Sequence, residues 1–136
     1  MRRERKSRCV KKPVISVVDD DASVRVATDN LLSALGYIVH TFASAEEFLR
    51  SPRFHDTSCV IADVQMPTMS GVEMQALLLA RGSRIPFIFI TAFPDETVRA
   101  RVLKAGAICL LTKPYDRRAL IKCLDTALQR HGGGAA

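Results

Sequence analysis

The stretch VISVVDD, residues 14–20, sets an almost entirely apolar run directly before two carboxylates. A run of this length and composition predicts a β-strand that is buried on both faces, as in a parallel sheet. Three further apolar runs end close to a polar residue in the same way: 59–62 before Asp63, 87–90 before Thr91 and 108–111 shortly before Lys113. If these runs are parallel strands of one sheet, the polar side chains that follow them emerge along one carboxyl edge.

Short apolar runs alternate with amphipathic segments from Pro13 onward, and this alternation predicts a doubly wound α/β fold. The expected parallel strands, each followed by a helix, are residues 14–18, 37–42, 59–62, 86–90 and 108–112. Such open sheets bind ligands outside the carboxyl ends of their strands, where the strand order reverses. We expect one folded domain over residues 13–130 and a flexible tail over the glycine-rich residues 131–136.

The basic excess of the chain is confined to its first residues. Residues 1–12 carry seven basic side chains and one acidic side chain, which accounts for the whole formal net charge of +6. Such a segment has too little apolar content to pack, so we expect a disordered basic tail over residues 1–12. Contact of this tail with a polyanion stays open, whereas the charge-balanced folded body is not expected to bind DNA.

Neither a membrane location nor a disulfide framework is expected. The charged amino terminus has no apolar segment after it, and no apolar run approaches the roughly 20 residues that span a bilayer. A cytoplasmic location is therefore the expectation. The four cysteines lack C-x-x-C spacing, and two of them, Cys59 and Cys109, lie within predicted strands, so we expect structural thiols.

Three carboxylates at one edge of the sheet call for a cation. Asp19, Asp20 and Asp63 cannot all stay ionised at close range without one. Magnesium prefers oxygen ligands and is commonly held by one or two carboxylates together with a phosphate. We expect Asp20 and Asp63 as direct ligands, Asp19 as a ligand through water, and the backbone carbonyl of Gln65 to complete the set.

The same edge offers the groups needed for phosphoryl transfer. A carboxylate such as Asp63 can attack a phosphoryl group and form an aspartyl phosphate. Lys113 would neutralise charge on the transferring oxygens, and Thr91 would donate its hydroxyl to the attached phosphoryl group.

Four motifs together resemble the receiver domain of two-component response regulators: VVDDD at 17–21, DVQMPTMSG at 63–71, Thr91-Ala92 and Lys113-Pro114. Residues 37–46 are similar to receivers of the nitrogen-fixation regulator type. The resemblance implies a flavodoxin-like (βα)5 fold with strand order 2-1-3-4-5, and a cis peptide bond at Lys113–Pro114. It also implies Asp63 as phosphoacceptor, Asp19 and Asp20 as the acidic Mg²⁺ pocket, and Thr91 with Lys113 as the phosphate-sensing pair.

The resemblance further implies partners for a signalling module. The donor would be a phosphohistidine on a sensor histidine kinase or phosphotransfer protein, and a downstream protein effector would bind the face of helix 4, strand 5 and helix 5. A homodimer is a further assembly that the resemblance allows. Such a module is no enzyme beyond self-phosphotransfer and autodephosphorylation. The sequence holds no helix-turn-helix output domain, so a stand-alone receiver is expected.

One departure and two alternatives remain. Receivers normally carry Tyr or Phe three residues before the lysine, with an acidic residue before it, whereas this chain has Leu110 and Cys109. A degenerate receiver used for protein binding or dimerisation is the first alternative. A Mg²⁺-dependent phosphatase with an aspartyl nucleophile is the second, although such enzymes usually carry an acid where this chain has Gln65.

Overall fold

The computed structural model describes residues 12–135. Five strands and five helices alternate along the chain, with one short 3₁₀ helix at Pro52–Asp56 between α2 and β3. The strands are β1 (Val14–Val18), β2 (Ile38–Phe42), β3 (Cys59–Asp63), β4 (Phe87–Thr91) and β5 (Cys109–Thr112). The helices are α1 (Ala22–Ala34), α2 (Ala45–Arg50), α3 (Gly71–Ala80), α4 (Glu96–Lys104) and α5 (Arg117–Ala135). No helix in this part of the chain is long and apolar enough to cross a lipid bilayer.

The strands form one parallel sheet in the order β2-β1-β3-β4-β5, which confirms the expected doubly wound architecture and strand order. The register aligns the strand ends that matter. Val18 of β1 lies opposite Ala62 of β3, so Asp19 and Asp63 leave neighbouring strands at the same level. Thr91 of β4 pairs with Thr112 of β5, one residue before Lys113. The sheet therefore brings the predicted polar residues to one edge.

The side chains of the sheet pack into two apolar layers, one on each face, because successive residues of a strand point to opposite faces. In the central strands β3 and β4 every residue is buried. Leu110 and Cys109 of β5 belong to different layers: Leu110 packs in the layer that contains Val102 of α4, and Cys109 packs in the layer that contains Leu120 of α5. Strand β5 thus contacts both α4 and α5.

Short polar side chains cap the amino ends of α1, α2, α3 and α4, and at α2 the Ser44 hydroxyl accepts a hydrogen bond from the Glu47 amide. Asp21 accepts hydrogen bonds from the backbone amides of Ser23 (2.8 Å) and Val24 (3.4 Å), so it caps the amino end of α1. Asp95 caps α4 in the same way. Ser70 and Glu73 form a reciprocal capping box at the start of α3. These caps fix where each helix departs from the carboxyl edge of the sheet.

The ends of the chain differ from the sequence-based expectation. Helix α5 continues to Ala135, five residues beyond the predicted end of the folded region, where residues 131–136 were expected to form a flexible tail. Extending an existing helix adds a hydrogen bond for each residue fixed and needs no new nucleation. Its backbone geometry is therefore helical despite the glycines. The predicted basic tail lies, except for Lys12, outside the described residues.

The expectation that the cysteines are thiols was wrong for two of them. Cys109 of β5 and Cys123 of α5 form a disulfide, with their Cα atoms 6.6 Å apart. The 13 residues between them gave no C-x-x-C signal, because the contact depends on how α5 packs back against the sheet. Cys59 is a free thiol with no exposed surface, and burial raises its pKa to about 12.

Gly71 allows α3 to begin directly against the end of β3. A Cβ atom at this position would collide with the backbone carbonyl oxygen of Asp63 and would lie 3.1 Å from the Phe89 ring. The Gly71 amide also donates a hydrogen bond to the Val64 carbonyl oxygen (3.0 Å). The backbone that carries Asp63 is therefore packed against a position where no side chain fits.

Replacing Gly71 by Ala should lower the free energy of unfolding by about 1–3 kcal/mol, since a rigid backbone atom must move to admit the methyl group. Urea unfolding measures this loss, and amide chemical shifts of Asp63 and Val64 should change with it. Gly82→Ala is the control, because a Cβ there meets nothing within 4 Å, although φ is +83°. That variant should leave the Asp63 amide unshifted. Equal shifts in both variants would contradict the packing argument.

Candidate functional site

Three carboxylates converge where β1 and β3 end. Oxygen atoms of Asp19, Asp20 and Asp63 all lie within 4.8 Å of one another. Asp19 has no exposed surface and Asp63 is only 5% exposed, whereas Asp20 is exposed. The three acids that the sequence placed at this edge are thus brought together, with two of them removed from bulk water.

Lys113 is the cation that the structure supplies to these acids. Its Nζ donates a hydrogen bond to Oδ2 of Asp63 (2.9 Å) and lies 3.1 Å from Oδ2 of Asp19. The nearby Arg25 guanidinium donates instead to the backbone carbonyl oxygen of Asp19, at 2.7 Å. Among the described residues, a single ammonium group therefore pairs with two of the three carboxylates of the cluster, Asp19 and Asp63.

Burial of Asp19 dominates its electrostatics. Desolvation raises the pKa of Asp19, and the charge of Asp63 raises it further, against the lowering effects of the Asp21 amide and Lys113. Burial alone would lower the pKa of Lys113, but its hydrogen bond with Asp63 and its ion pairs with Asp63 and Asp19 raise the pKa above the ordinary value. The raised pKa of Asp19 and the raised pKa of Lys113 have the same cause: the site holds more negative charge than its own cation offsets.

The chemistry of the donor set fits a small divalent cation. Oδ1 of Asp19 accepts a hydrogen bond from the Asp21 amide (2.9 Å), but Oδ2 accepts none from the described residues despite being fully buried. An ion pair without a directed hydrogen bond leaves this oxygen free to ligate. Carboxylate oxygens at such spacing are the ligands that Mg²⁺ takes, together with waters. The residues that could hold it are Asp19, Asp20 and Asp63.

Gln65 approaches the site in a way that the sequence did not predict. The expected contribution was its backbone carbonyl, which nothing in the structure tests. Its backbone amide donates to Oδ1 of Asp63 (3.1 Å), and its side-chain Oε1 accepts a hydrogen bond from the Thr91 hydroxyl (3.1 Å). Loop residues carry no periodic pattern, so no sequence signal pointed to this side-chain contact.

Thr91 ends β4 with its hydroxyl fully engaged. The side chain is 2% exposed. Besides the contact with Gln65, Oγ1 lies 3.2 Å from the carbonyl oxygen of Phe93 and accepts a hydrogen bond from the Phe93 amide (3.1 Å). Thr91 is thus held by Gln65 and by the loop that precedes α4, and among the described residues its hydroxyl forms no hydrogen bond with an acid of the cluster.

Hydrogen bonds connect β5 and the residues just after Lys113 to two helices, α4 and α1. Leu110 is buried, and its carbonyl oxygen accepts a hydrogen bond from Nη1 of Arg99 in α4 (3.2 Å). The Lys113–Pro114 peptide bond is cis, as the family resemblance implied. The hydroxyl of Tyr115 then pairs with that of Thr28 in α1 at 2.8 Å. Sequence reasoning missed Arg99 and Tyr115, because an arginine or tyrosine near a helix usually has a bland surface role.

Comparisons with known proteins agree with this geometry. The sequence profile described as "Response regulator receiver domain" matches residues 15–125. Response regulator protein TmoT of Ectopseudomonas mendocina is 40% identical over 116 residues, which are 85% of this chain and 53% of TmoT. The chain spans about half the length of the curated relatives it matches.

Two solved structures extend the likeness to three dimensions. Response regulator StyR matches with a TM-score of 0.85 at 42% identity, covering 92% of this chain and 63% of that chain. FixJ-N matches with a TM-score of 0.78 at 30% identity, covering 88% of this chain and 96% of that chain. With a profile match over most of its length and relatives of this identity, the chain belongs to the family of response regulator receiver domains of two-component signalling systems.

Proposed function

We propose that this receiver accepts a phosphoryl group on Asp63 from the phosphohistidine of a sensor histidine kinase or phosphotransfer protein. The observation that carries the proposal is the position of Lys113, whose ammonium bridges Asp63 and Asp19 inside a cluster of three carboxylates. A structural role alone does not require two buried acids on one lysine, because replacing such a group by apolar residues is often neutral or stabilising.

In the proposed step an oxygen of the Asp63 carboxylate attacks phosphorus. The new O–P bond forms as the N–P bond of the phosphohistidine breaks, and the imidazole nitrogen keeps the electron pair of that bond. Lys113 already lies 2.9 Å from Oδ2 of Asp63, so it can follow the charge onto the phosphoryl oxygens without a large movement. The Gln65 amide, bonded to Oδ1, holds the carboxylate plane during the attack.

Mg²⁺ held by Asp19, Asp20 and Asp63 would supply positive charge beside the transferring oxygens when bound. Asp19 contributes its Oδ2, which accepts no hydrogen bond from the described residues, and the exposed Asp20 contributes the side open to solvent. The backbone carbonyl of Gln65 remains our proposed fourth protein ligand. Arg25 stabilises the loop by holding the Asp19 carbonyl oxygen, which leaves the Asp19 carboxylate free.

Thr91 would sense the phosphoryl group by exchanging partners. Its hydroxyl is engaged with Gln65 and the backbone of Phe93 when Asp63 is unmodified. A phosphoryl oxygen on Asp63 offers a charged acceptor, and hydrogen bonds to charged groups are stronger than those to a neutral amide oxygen. Movement of Thr91 would then release the loop before α4 and alter the face formed by α4, β5 and α5 for a downstream protein effector.

Leu110 changes how that movement can travel. Leu110 is buried in the apolar layer that contains Val102 of α4, and leucine has no aromatic ring that could rotate between the interior and the surface. We infer that the face responds through the backbone of β5 and the displacement of Thr91 alone.

We also propose that this receiver acts in the cytoplasm, because a donor kinase that uses ATP would meet it there.

The first prediction separates an active receiver from a degenerate one. With acetyl phosphate and Mg²⁺, the intact mass of the chain should rise by one phosphoryl group, and EDTA should abolish the rise. Asp63→Asn should remove it entirely because the nucleophilic oxygen is gone. Asp21→Asn is the matched control, since Asn caps a helix about as well as Asp. Phosphorylation that persists in Asp63→Asn would refute the assignment of Asp63.

The second prediction concerns the buried acid. In EDTA, Asp19→Asn should raise the free energy of unfolding by about 0.5–2 kcal/mol, because it removes a desolvated charge that the native cations do not fully offset. The same variant should bind Mg²⁺ more weakly, as measured by calorimetry. Asp20→Asn, at an exposed position, should weaken Mg²⁺ binding with less gain in stability.

The pH dependence follows from the raised pKa of Asp19. A group whose pKa is higher in the folded state contributes stability that is present below its unfolded pKa and is lost as pH rises through the folded value. Without Mg²⁺, the wild-type protein should therefore gain stability relative to Asp19→Asn as pH falls through that raised value toward 3.8. A constant difference between the two proteins across this range would contradict the pKa argument.

The third prediction concerns the response of the surface. On binding of beryllofluoride with Mg²⁺ at Asp63, amide chemical shifts of α4, β5 and α5 should change although Leu110 replaces the aromatic residue. Leu110→Ala should lower stability by about 2–5 kcal/mol through the cavity it leaves, yet keep the pattern of shifts. An unchanged face in the wild-type complex would exclude backbone transmission.

A further inference from the structure

The disulfide between Cys109 and Cys123 is the feature that the proposed phosphotransfer does not use. It joins the first residue of β5 to the middle of α5, with 6.6 Å between the Cα atoms. Both residues are half-buried, and β5 is the edge strand of the described sheet. Both residues thus retain some exposed surface, and the bond lies on two of the three elements that form the proposed responsive face.

We propose that Cys109 and Cys123 form a reversible redox modification site whose oxidation weakens the response of the receiver to phosphorylation. The modification itself is independent of the proposed function, whereas its effect on the response rests on that function. Low-molecular-weight disulfides such as glutathione disulfide are the chemical class that would drive it.

The exchange is a two-step reaction that balances. One protein thiolate attacks the small disulfide, forms a mixed disulfide and releases one small thiol. The second protein thiolate attacks the protein sulfur of that mixed disulfide, forms the Cys109–Cys123 bond and releases the second small thiol. The two protein thiols lose two electrons and two protons, and the small disulfide gains both.

The environment of the three described cysteines makes this chemistry selective. Cys59 has no exposed surface, and burial raises its pKa to about 12, so it is both shielded and protonated. Cys109 and Cys123 retain exposed surface and lie close enough to bond without any rearrangement of the fold. The folded protein therefore places two reactive positions together and keeps the third thiol inert.

The path from this bond to the phosphoacceptor runs along four residues of backbone to Lys113 and then through one hydrogen bond. Cys109 begins β5, Lys113 directly follows the end of this strand, and Lys113 contacts Asp63 directly. Arg99 of α4 holds the carbonyl oxygen of Leu110 from the other side of the strand. When the disulfide is formed, β5 is held from α5 as well as from α4, and it can shift only if α5 shifts with it.

This arrangement gives oxidation a differential effect on two states. If the phosphorylated state needs β5 to move relative to α5, the disulfide disfavours that state and leaves the resting state untouched. Coupling between two sites is reciprocal in binding free energy. A phosphoryl mimic bound at Asp63 must then favour the dithiol by the same factor as reduction favours the mimic.

The test uses the full chain with Cys9→Ser throughout, so that only the described cysteines react. Mass spectrometry after alkylation of the folded protein in glutathione buffers should show Cys109 and Cys123 losing their label together as the disulfide fraction rises, while Cys59 stays unlabelled until unfolding. Independent labelling of the two thiols, or no oxidation by glutathione disulfide, would overturn the modification site.

The coupling is measured with beryllofluoride and Mg²⁺. The oxidised protein should bind the mimic about fivefold or more weakly than the reduced protein, within the range typical of coupled sites. A saturating concentration of the mimic should lower the ratio [GSH]²/[GSSG] at which half of the protein is oxidised, by the same factor. Equal affinities and an unshifted ratio would overturn the coupling.

Variants separate the disulfide from other effects of glutathione. Cys123→Ser should bind the mimic like the reduced protein in every buffer. Cys59→Ala should retain the redox dependence, because this variant still forms the Cys109–Cys123 disulfide. If neither redox form binds beryllofluoride, the proposed function and the coupling fail together, while the alkylation experiment still decides whether the modification site exists.

Discussion

The buried ion pairs of Lys113 with Asp19 and Asp63 are the interaction on which the rest of the structure depends. Two carboxylates with almost no exposed surface share one ammonium group, and a third carboxylate lies beside them. Such a cluster gains little net stability, because desolvation of each charge opposes the attraction between them. The raised pKa of Asp19 is the direct sign of this imbalance. The site therefore carries an excess of negative charge that can attract a further cation.

The parallel sheet brings the acids and the lysine together through its strand register. Side chains that leave β1, β3, β4 and β5 at the carboxyl edge are brought together by the register alone, so no long loop has to be ordered. Gly71 lets α3 start against the Asp63 carbonyl, and Arg25 fixes the loop that carries Asp19 and Asp20. The apolar layers on both faces of the sheet then supply the stability that the acids withdraw.

Much of this could be predicted from the sequence, and the reasons are physical. Apolar runs of strand length, polar residues directly after them and capping residues such as Asp21 are local signals that survive folding unchanged. The side chain of Gln65 on Thr91, the guanidinium of Arg99 on Leu110 and the bond between Cys109 and Cys123 depend on how distant elements pack. Periodicity carries no information about such contacts. The helical backbone up to Ala135 was missed for a related reason, because composition describes an isolated segment and not the end of an existing helix.

Strand β5 is where these unpredicted contacts meet, and this location has a consequence for signalling. Its residues alternate between the two apolar layers, so Leu110 packs in the layer that contains Val102 of α4, while Cys109 packs in the layer that contains Leu120 of α5. Arg99 holds the backbone of this strand by a hydrogen bond, and Cys123 holds it by a covalent bond. Leu110 has no aromatic ring that could rotate, so a displacement of the strand would have to involve its backbone and Lys113, which directly follows it. The absence of an aromatic ring at Leu110 and the disulfide at Cys109 therefore support one proposal: the signal in this receiver passes through the backbone of β5, and contacts that fix that backbone weaken the response.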